Sequence, residues 1–113
     1  MGSVSQRDDP FGLQPGHILD SLIESGAAVG REVPLDRAGR NVADVVAFLG
    51  GTVCVFEVKP HRAKARDMLQ IDRYVAAAMR LWPDLQVYGF LVAPEFAPDV
   101  HPHGHVFLQR WPE

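Results

Sequence analysis

Two carboxylates and a lysine lie in apolar segments that are predicted to be neighbouring β-strands. Glu57 and Lys59 are two residues apart, so their side chains project from the same face of a strand. Asp44 lies among apolar residues of the preceding segment. Charged groups on a buried strand cost free energy unless they serve each other or a ligand. Because carboxylates supply hard oxygen donors, the pattern favours a Mg²⁺ or Mn²⁺ site over a zinc site.

The segments that carry these residues are predicted to form a hairpin. Residues 41–49 and 52–59 flank Gly50-Gly51, a pair that favours a tight turn between strands. The second strand is apolar on both faces until near its end, which is typical of a central strand in an α/β sheet. Antiparallel pairing places Asp44 opposite the end that carries Glu57 and Lys59. A simple ion pair at the frayed end of a strand is the structural alternative.

The remaining elements follow from apolar periodicity and from glycine and proline positions. A first helix is predicted between Pro15 and Gly26, and a longer one of about 20 residues ends at Pro83. The apolar stripe of the longer helix consists of Met68, Ile71, Val75, Ala78, Met79 and Trp82. Further strands are predicted over 29–35, 87–92 and 106–108. The predicted order is α-β-β-β-α-β with a final strand.

Length and composition predict a single folded domain. The chain has 113 residues, of which 47% are hydrophobic and 22% charged, and this balance is typical of globular proteins. We expect a flexible tail over residues 1–12 and one domain over 13–113. The single cysteine excludes an internal disulfide and a cysteine-only metal site. No apolar run approaches the roughly 20 residues of a membrane span and no signal peptide is visible, so we expect a cytoplasmic protein.

The charge is unevenly distributed along the chain. The formal net charge is −3, which argues against a non-specific nucleic-acid coat protein. Between Lys59 and Arg80, however, six basic residues face two acidic ones, a net charge of +4. This segment fits an anionic partner, and a solvated helix face is the alternative.

The motifs together resemble a known family. Asp44 followed by Glu57-Val58-Lys59 resembles the PD-(D/E)xK nuclease superfamily, whose signature is an Asp on one strand and (Asp/Glu)-x-Lys on the next. Downstream, Gln70-Ile-Asp-Arg-Tyr74 and Gly89-Phe-Leu-Val-Ala-Pro94 are similar to the catalytic domain of NucS-type endonucleases. The resemblance covers about residues 40 to 95 and, loosely, the first helix.

The resemblance implies a restriction-endonuclease-like αβββαβ core, an α/β fold in which helices flank a central mixed sheet. It also implies divalent-metal-dependent hydrolysis of phosphodiester bonds, with DNA favoured over RNA. In this family, residues matching Asp44 and Glu57 bind Mg²⁺ or Mn²⁺ together with the backbone carbonyl of the residue matching Val58. Lys59 would orient the attacking water or help to deprotonate it, and Gln70 would support the site.

Many members of the superfamily carry a further acid on the first helix. Asp20 and Glu24 are the candidates here, four residues apart on one helical face. Glu24 is preferred because it lies nearer the helix end that leads into the sheet, and surface charge is the alternative for both. The N-terminal DNA-binding domain of NucS-type enzymes has no counterpart in this sequence, so branch or mismatch recognition is not implied.

Several residues are predicted to contact nucleic acid. Basic side chains can grip backbone phosphates without reading bases, and the candidates are Arg62, Lys64, Arg66 and Arg73, with Tyr74 beside them. A nuclease of this size has little surface for specificity. We therefore expect a homodimer or tethering to a partner protein.

Two alternatives from other classes remain open. A catalytically inactive nucleic-acid-binding or assembly module could keep the same fold, although it would have no reason to retain charge on a buried strand. The segment His101-Pro-His-Gly-His105 places three imidazoles at alternating positions, where they could bind a transition metal. Incidental histidines of an exposed loop are the simpler interpretation of this segment.

Overall fold

The computed structural model describes residues 17–110. Its elements in chain order are α1 (His17–Glu24), β1 (Ala28–Pro34), β2 (Val42–Leu49), β3 (Thr52–Val58), α2 (Ala65–Leu81), β4 (Gln86–Ala93) and β5 (Val106–Arg110). This is the predicted order, and the predicted α/β class is confirmed. The predicted tail over residues 1–12 lies outside the described residues. Neither helix of the described part combines the length and apolar character needed to cross a bilayer.

The strands form one mixed sheet in the order β1-β2-β3-β4-β5. β1, β2 and β3 pair antiparallel, whereas β3, β4 and β5 pair parallel. The hairpin between β2 and β3 turns at Gly50, whose φ of 60° lies in the left-handed region that favours glycine. β3 is the central strand, as its apolar faces predicted.

The side chains of the sheet alternate between two faces, and each face carries one helix. α2 covers the face that includes Val53 and Val55, and Glu57 belongs to the same alternating set. α1 covers the opposite face through Leu19, which packs in one cluster with Phe56. Each helix therefore closes its own apolar cluster, and β3 is buried on both sides.

The apolar residues buried by α2 differ from the predicted stripe at three positions of the helix, one of which is Ala77, buried but not predicted. Tyr74 is buried although it was predicted beside the apolar stripe, and Met79 is exposed although it was predicted on it. The reason is helical spacing, because Ile71, Tyr74 and Ala78 recur at intervals of three and four and face the sheet together. α2 has 17 residues, slightly fewer than predicted, and ends just before Trp82.

α2 approaches β4 closely because residue 89 is a glycine. A Cβ atom added to Gly89 would lie 2.5 Å from Val75 Cγ2 and 3.1 Å from Ile71 Cγ1. Separations of this size require the neighbouring side chains to move. The glycine of the strand 86–93 therefore sets the distance between α2 and the sheet.

We predict that Gly89→Ala lowers the free energy of unfolding by about 1–3 kcal/mol, because the added methyl group overpacks the interface with α2. Urea denaturation measures this change. Gly51→Ala is the matched control, since an added Cβ at Gly51 has no neighbour within 4 Å; it should change stability by at most about 0.5 kcal/mol. Equal effects of the two substitutions would contradict the proposed role of Gly89.

Candidate active site

The β2–β3 hairpin brings Asp44 and Glu57 to the same end of the sheet. Its register pairs Val45 with Phe56, and the next residues along the two strands are Asp44 and Glu57. Beyond that pair, a side-chain contact joins the strands, since the Val58 N–H donates a hydrogen bond of 2.8 Å to Asp44 Oδ2. This bond fixes the Asp44 carboxylate against β3, beside Glu57.

Glu57 is a buried carboxylate with an incomplete set of partners. The residue is 5% exposed, and its Oε2 lies 3.3 Å from Lys59 Nζ. Within residues 17–110, no hydrogen-bond partner reaches its Oε1. The pKa of Glu57 is raised from 4.5 to about 7. Burial is the main cause, the negative charge of Asp44 adds to it, and the Lys59 ammonium partly offsets both effects.

Lys59 is held between two carboxylates. Its backbone N–H donates to the Val92 carbonyl oxygen at 2.8 Å, which continues the pairing of β3 with β4. Its Nζ lies 3.8 Å from Asp67 Oδ1 as well as near Glu57. Asp67 is buried, and its Oδ2 accepts a hydrogen bond of 2.8 Å from the Lys64 N–H at the start of α2.

Asp67 was not predicted as part of this site. The available signal was its place three residues after Lys64, where an acidic side chain often caps the first turn of a helix. The same carboxylate also faces the Lys59 ammonium, so one side chain both begins α2 and positions the lysine.

Gln70 and Tyr74 are two side chains of α2 that contact each other near the carboxylate pair. Gln70 Nε2 donates a hydrogen bond of 2.9 Å to the Tyr74 hydroxyl oxygen. Burial raises the pKa of Tyr74, and the nearby negative charge of Glu57 raises it further. Tyr74 is only 6% exposed, so its position fits support of the site and does not fit the predicted contact with nucleic acid.

The predicted basic side chains lie in two places around the site. Arg62, Lys64 and Arg66 line an open groove of about 500 Å³ at the start of α2, with Asp99 on its other side. Arg73 lies further along α2 and lines a different groove. All four are exposed, as contacts with phosphate groups require.

The first helix does not bring Glu24 to the carboxylate pair. The apolar side of α1 packs on the face of the sheet that carries Phe56, across the sheet from Glu57. Glu24 is exposed at the end of α1 that leads to Ala28, and Ala28 pairs with Phe48 at the far end of β2 from Asp44. Asp20 belongs to the same helix on that opposite face.

The three histidines of the segment 101–105 do not form a common site. His103 Nε2 lies 2.9 Å from Asp72 Oδ1, whereas His105 Nδ1 lies 2.7 Å from the Val87 carbonyl oxygen. The His105 ring also stacks on Tyr88, with 5.4 Å between ring centroids. In the part of the chain that the structure describes, no group of three or more metal-ligating side chains is present. The alternative of a histidine-bound transition metal therefore has no support here.

The carboxylate pair fits a hard divalent cation. Mg²⁺ binds through one or two protein carboxylates and completes its shell with water and substrate phosphate. Glu57 Oε1 is a buried oxygen for which the described residues offer no hydrogen-bond donor. The Asp44 carboxylate lies beside Glu57 and raises the pKa of Glu57. The donor set thus suits Mg²⁺ or Mn²⁺, and a bound cation would relieve the repulsion between the two acids.

Comparison with known proteins gives structural matches. No family model and no curated protein sequence matches the chain. A repair endonuclease from Pyrococcus abyssi matches with a TM-score of 0.61 and 25% identity, over 80% of this chain and 41% of that one. EndoMS in complex with double-stranded DNA matches with a TM-score of 0.54 and 28% identity, over 70% of this chain and 32% of that one.

These matches confirm the predicted resemblance. The chain has a restriction-endonuclease-like fold and is related in structure to repair endonucleases of the NucS and EndoMS type. It spans less than half the length of each solved chain that it matches.

We predict that the burial of Glu57 makes stability depend on pH. Because the pKa is raised from 4.5 in the folded state to about 7, the folded protein holds this proton more tightly than the unfolded chain does. The stabilisation that comes from this tighter proton binding is fully present below about pH 4.5 and is lost as the pH rises through about 7. Urea denaturation in EDTA between pH 4.5 and 8.5 should show wild-type stability falling relative to Glu57→Gln.

The control for this measurement is Glu95→Gln, which changes an exposed carboxylate in the same way. Its stability should follow that of the wild type at every pH. A constant difference between the wild type and Glu57→Gln across this range would contradict the raised pKa.

Proposed function

We propose that this protein is a divalent-metal-dependent nuclease that hydrolyses phosphodiester bonds, and that its substrate is DNA. One observation carries the proposal. At one end of a restriction-endonuclease-like sheet, the buried Glu57 lies beside Asp44 and Lys59, with one carboxylate oxygen that no described hydrogen-bond donor reaches.

The energetics of the carboxylate pair support a ligand at this position. Burying an ionised carboxylate beside another acid costs several kcal/mol unless cations or hydrogen bonds offset the cost. Lys59 offsets part of it, and the Val58 N–H contributes one hydrogen bond to Asp44. A folded protein that only needed a core would gain stability by replacing Glu57 with an apolar residue.

Each residue of the site has a role in this proposal. Asp44 and Glu57 would hold Mg²⁺ or Mn²⁺ together with the backbone carbonyl of Val58. A cation held there lowers the pKa of a bound water and neutralises charge on the phosphate. The Lys59 ammonium would orient the attacking water and add positive charge where the transition state becomes more negative.

Two further side chains keep these groups in position. Asp67, in the first turn of α2, lies near the Lys59 ammonium, which also contacts Glu57. Gln70 holds the Tyr74 hydroxyl near the carboxylates and so supports the site from the same helix. We assign both as positioning residues, because their contacts are with other side chains of the site.

DNA is the proposed substrate for two reasons. The similar solved structures are a repair endonuclease and EndoMS bound to double-stranded DNA. In addition, the groove with Arg62, Lys64 and Arg66 opens at the start of α2, the helix whose first turn contains Asp67. Because a domain of this size offers a short groove, we also propose that it acts as a homodimer or is tethered to a partner protein.

We predict that the purified protein cuts DNA only with Mg²⁺ or Mn²⁺ and that Glu57→Ala and Lys59→Ala each lower the rate by about 10²- to 10³-fold. The measurement uses labelled plasmid, linear duplex, single-stranded, branched and RNA substrates, with either metal or with EDTA. Asp84→Ala is the control, since this exposed acid lies in the turn after α2, away from the described site.

The outcomes separate the nuclease from its main alternative. Cleavage that needs metal and disappears in both site variants but not in the control supports the nuclease. Binding without cleavage of any substrate would favour a catalytically inactive nucleic-acid-binding module. Cleavage that persists in Glu57→Ala and Lys59→Ala would show that the activity does not come from this site.

A further inference from the structure

A second open groove lies between α2 and the turn that joins β1 to β2. It has a volume of about 620 Å³. Its lining includes four arginines and one acid, and these residues are Arg37, Arg40, Arg73, Arg80 and Asp36. Three of the arginines, at positions 37, 40 and 80, were not among the predicted nucleic-acid contacts. Arg37 and Arg40 lie in the turn between β1 and β2, Arg73 and Arg80 lie on α2, and all four line this groove.

The positive charge of this groove is not consumed by internal ion pairs. Asp36 uses its oxygens to build the turn, with Oδ1 accepting from the Arg40 backbone N–H at 3.0 Å and Oδ2 accepting from Asn41 Nδ2 at 2.6 Å. Among residues 17–110, no carboxylate lies within 4 Å of any of the four guanidinium groups. The groove therefore keeps a net charge of +3 on a chain whose total is −3.

The groove begins beside the candidate active site. Asn41 lines it, lies directly before β2 and precedes Asp44 by three residues. Arg73 is adjacent to Tyr74, and its charge acts on the Tyr74 hydroxyl. Arg80 lies two helical turns further along α2, about 10 Å from Arg73 along the helix axis. The groove thus includes two neighbours of site residues along the chain, Asn41 and Arg73, and reaches Arg80 near the end of α2.

A row of separated guanidinium groups fits a chain of phosphates better than a single anion. Each guanidinium can bind a phosphate with two parallel hydrogen bonds, so arginine is well suited to a phosphodiester backbone. We propose that this groove, which we call the arginine groove (Arg37, Arg40, Arg73 and Arg80), binds the backbone of the DNA strand that leads away from the scissile bond. This inference rests on the proposed nuclease function and assigns its substrate a path.

The test measures binding of a labelled DNA duplex by fluorescence anisotropy in EDTA, so that no cleavage occurs. Arg40→Gln and Arg80→Gln remove one charge each from the arginine groove. The control is Arg31→Gln, which removes the same charge from an exposed position on β1. Arg31 pairs with Val45, whose side chain belongs to the face covered by α1.

We predict weaker binding in both groove variants and a smaller salt dependence. The slope of log K against log salt concentration should fall by about 0.9 for each phosphate contact that is lost. In the double variant, the slope should fall by about twice as much as in either single variant. In Arg40→Lys, which keeps the charge, the slope should stay close to that of the wild type. Arg31→Gln should leave the slope unchanged.

Three results would overturn the proposal. One is a slope that is unchanged in Arg40→Gln and Arg80→Gln. Another is an equal loss in Arg31→Gln, which would show that total charge alone determines binding. The third is tighter binding of a labelled acidic peptide than of DNA, weakened by the same variants, which would assign the groove to a protein partner.

This experiment is independent of the test of catalysis. If the groove variants weaken DNA binding as predicted while the wild type cuts no substrate, the arginine groove is supported and the nuclease is overturned. If the wild type cuts DNA but the groove variants bind it like the control, only the arginine groove is overturned.

Discussion

The organisation of this protein depends on one unfavourable arrangement, the burial of Glu57 beside Asp44. Neither acid can leave the site, because both are fixed by the strands of one hairpin. The surrounding groups offset part of the cost, with the Lys59 ammonium near Glu57 and the Val58 N–H on Asp44. The remaining cost appears as the raised pKa of Glu57 and as an oxygen without a described donor. The divalent cation that we propose for this site would offset both.

The rest of the fold holds this arrangement in place. β3 lies at the centre of the sheet and is covered on both faces, so water has little access to Glu57. α2 packs closely over Gly89, and the first turn of the same helix holds Asp67 near the Lys59 ammonium. The same helix carries Arg73 and Arg80, which line the arginine groove. One helix therefore carries both the acid that positions the lysine and two arginines of the proposed path for DNA.

The sequence predicted the parts of the site that depend on local rules. Turn chemistry at Gly50 and strand alternation are enough to place Asp44 with Glu57 and Lys59. The contact of Asp67 with Lys59 could not be predicted, and of the arginine groove only Arg73 was predicted to contact nucleic acid, because both depend on the tertiary packing of α2. Glu24 was misplaced for a related reason, since the periodicity of α1 gives its apolar side but not the face of the sheet that it covers.

The most direct test of the central claim is whether the carboxylate pair binds a divalent cation. The melting temperature is measured at pH 8 during titration with Mn²⁺ or Mg²⁺, for the wild type and for Asp44→Asn and Glu57→Gln. Binding to the folded state adds about 2.7 kcal/mol of stability at a cation concentration 100 times the Kd. We expect the melting temperature of the wild type to rise with either cation and that of both variants to stay constant. No rise in the wild type, or an equal rise in the variants, would contradict the assignment of this pair as a metal site.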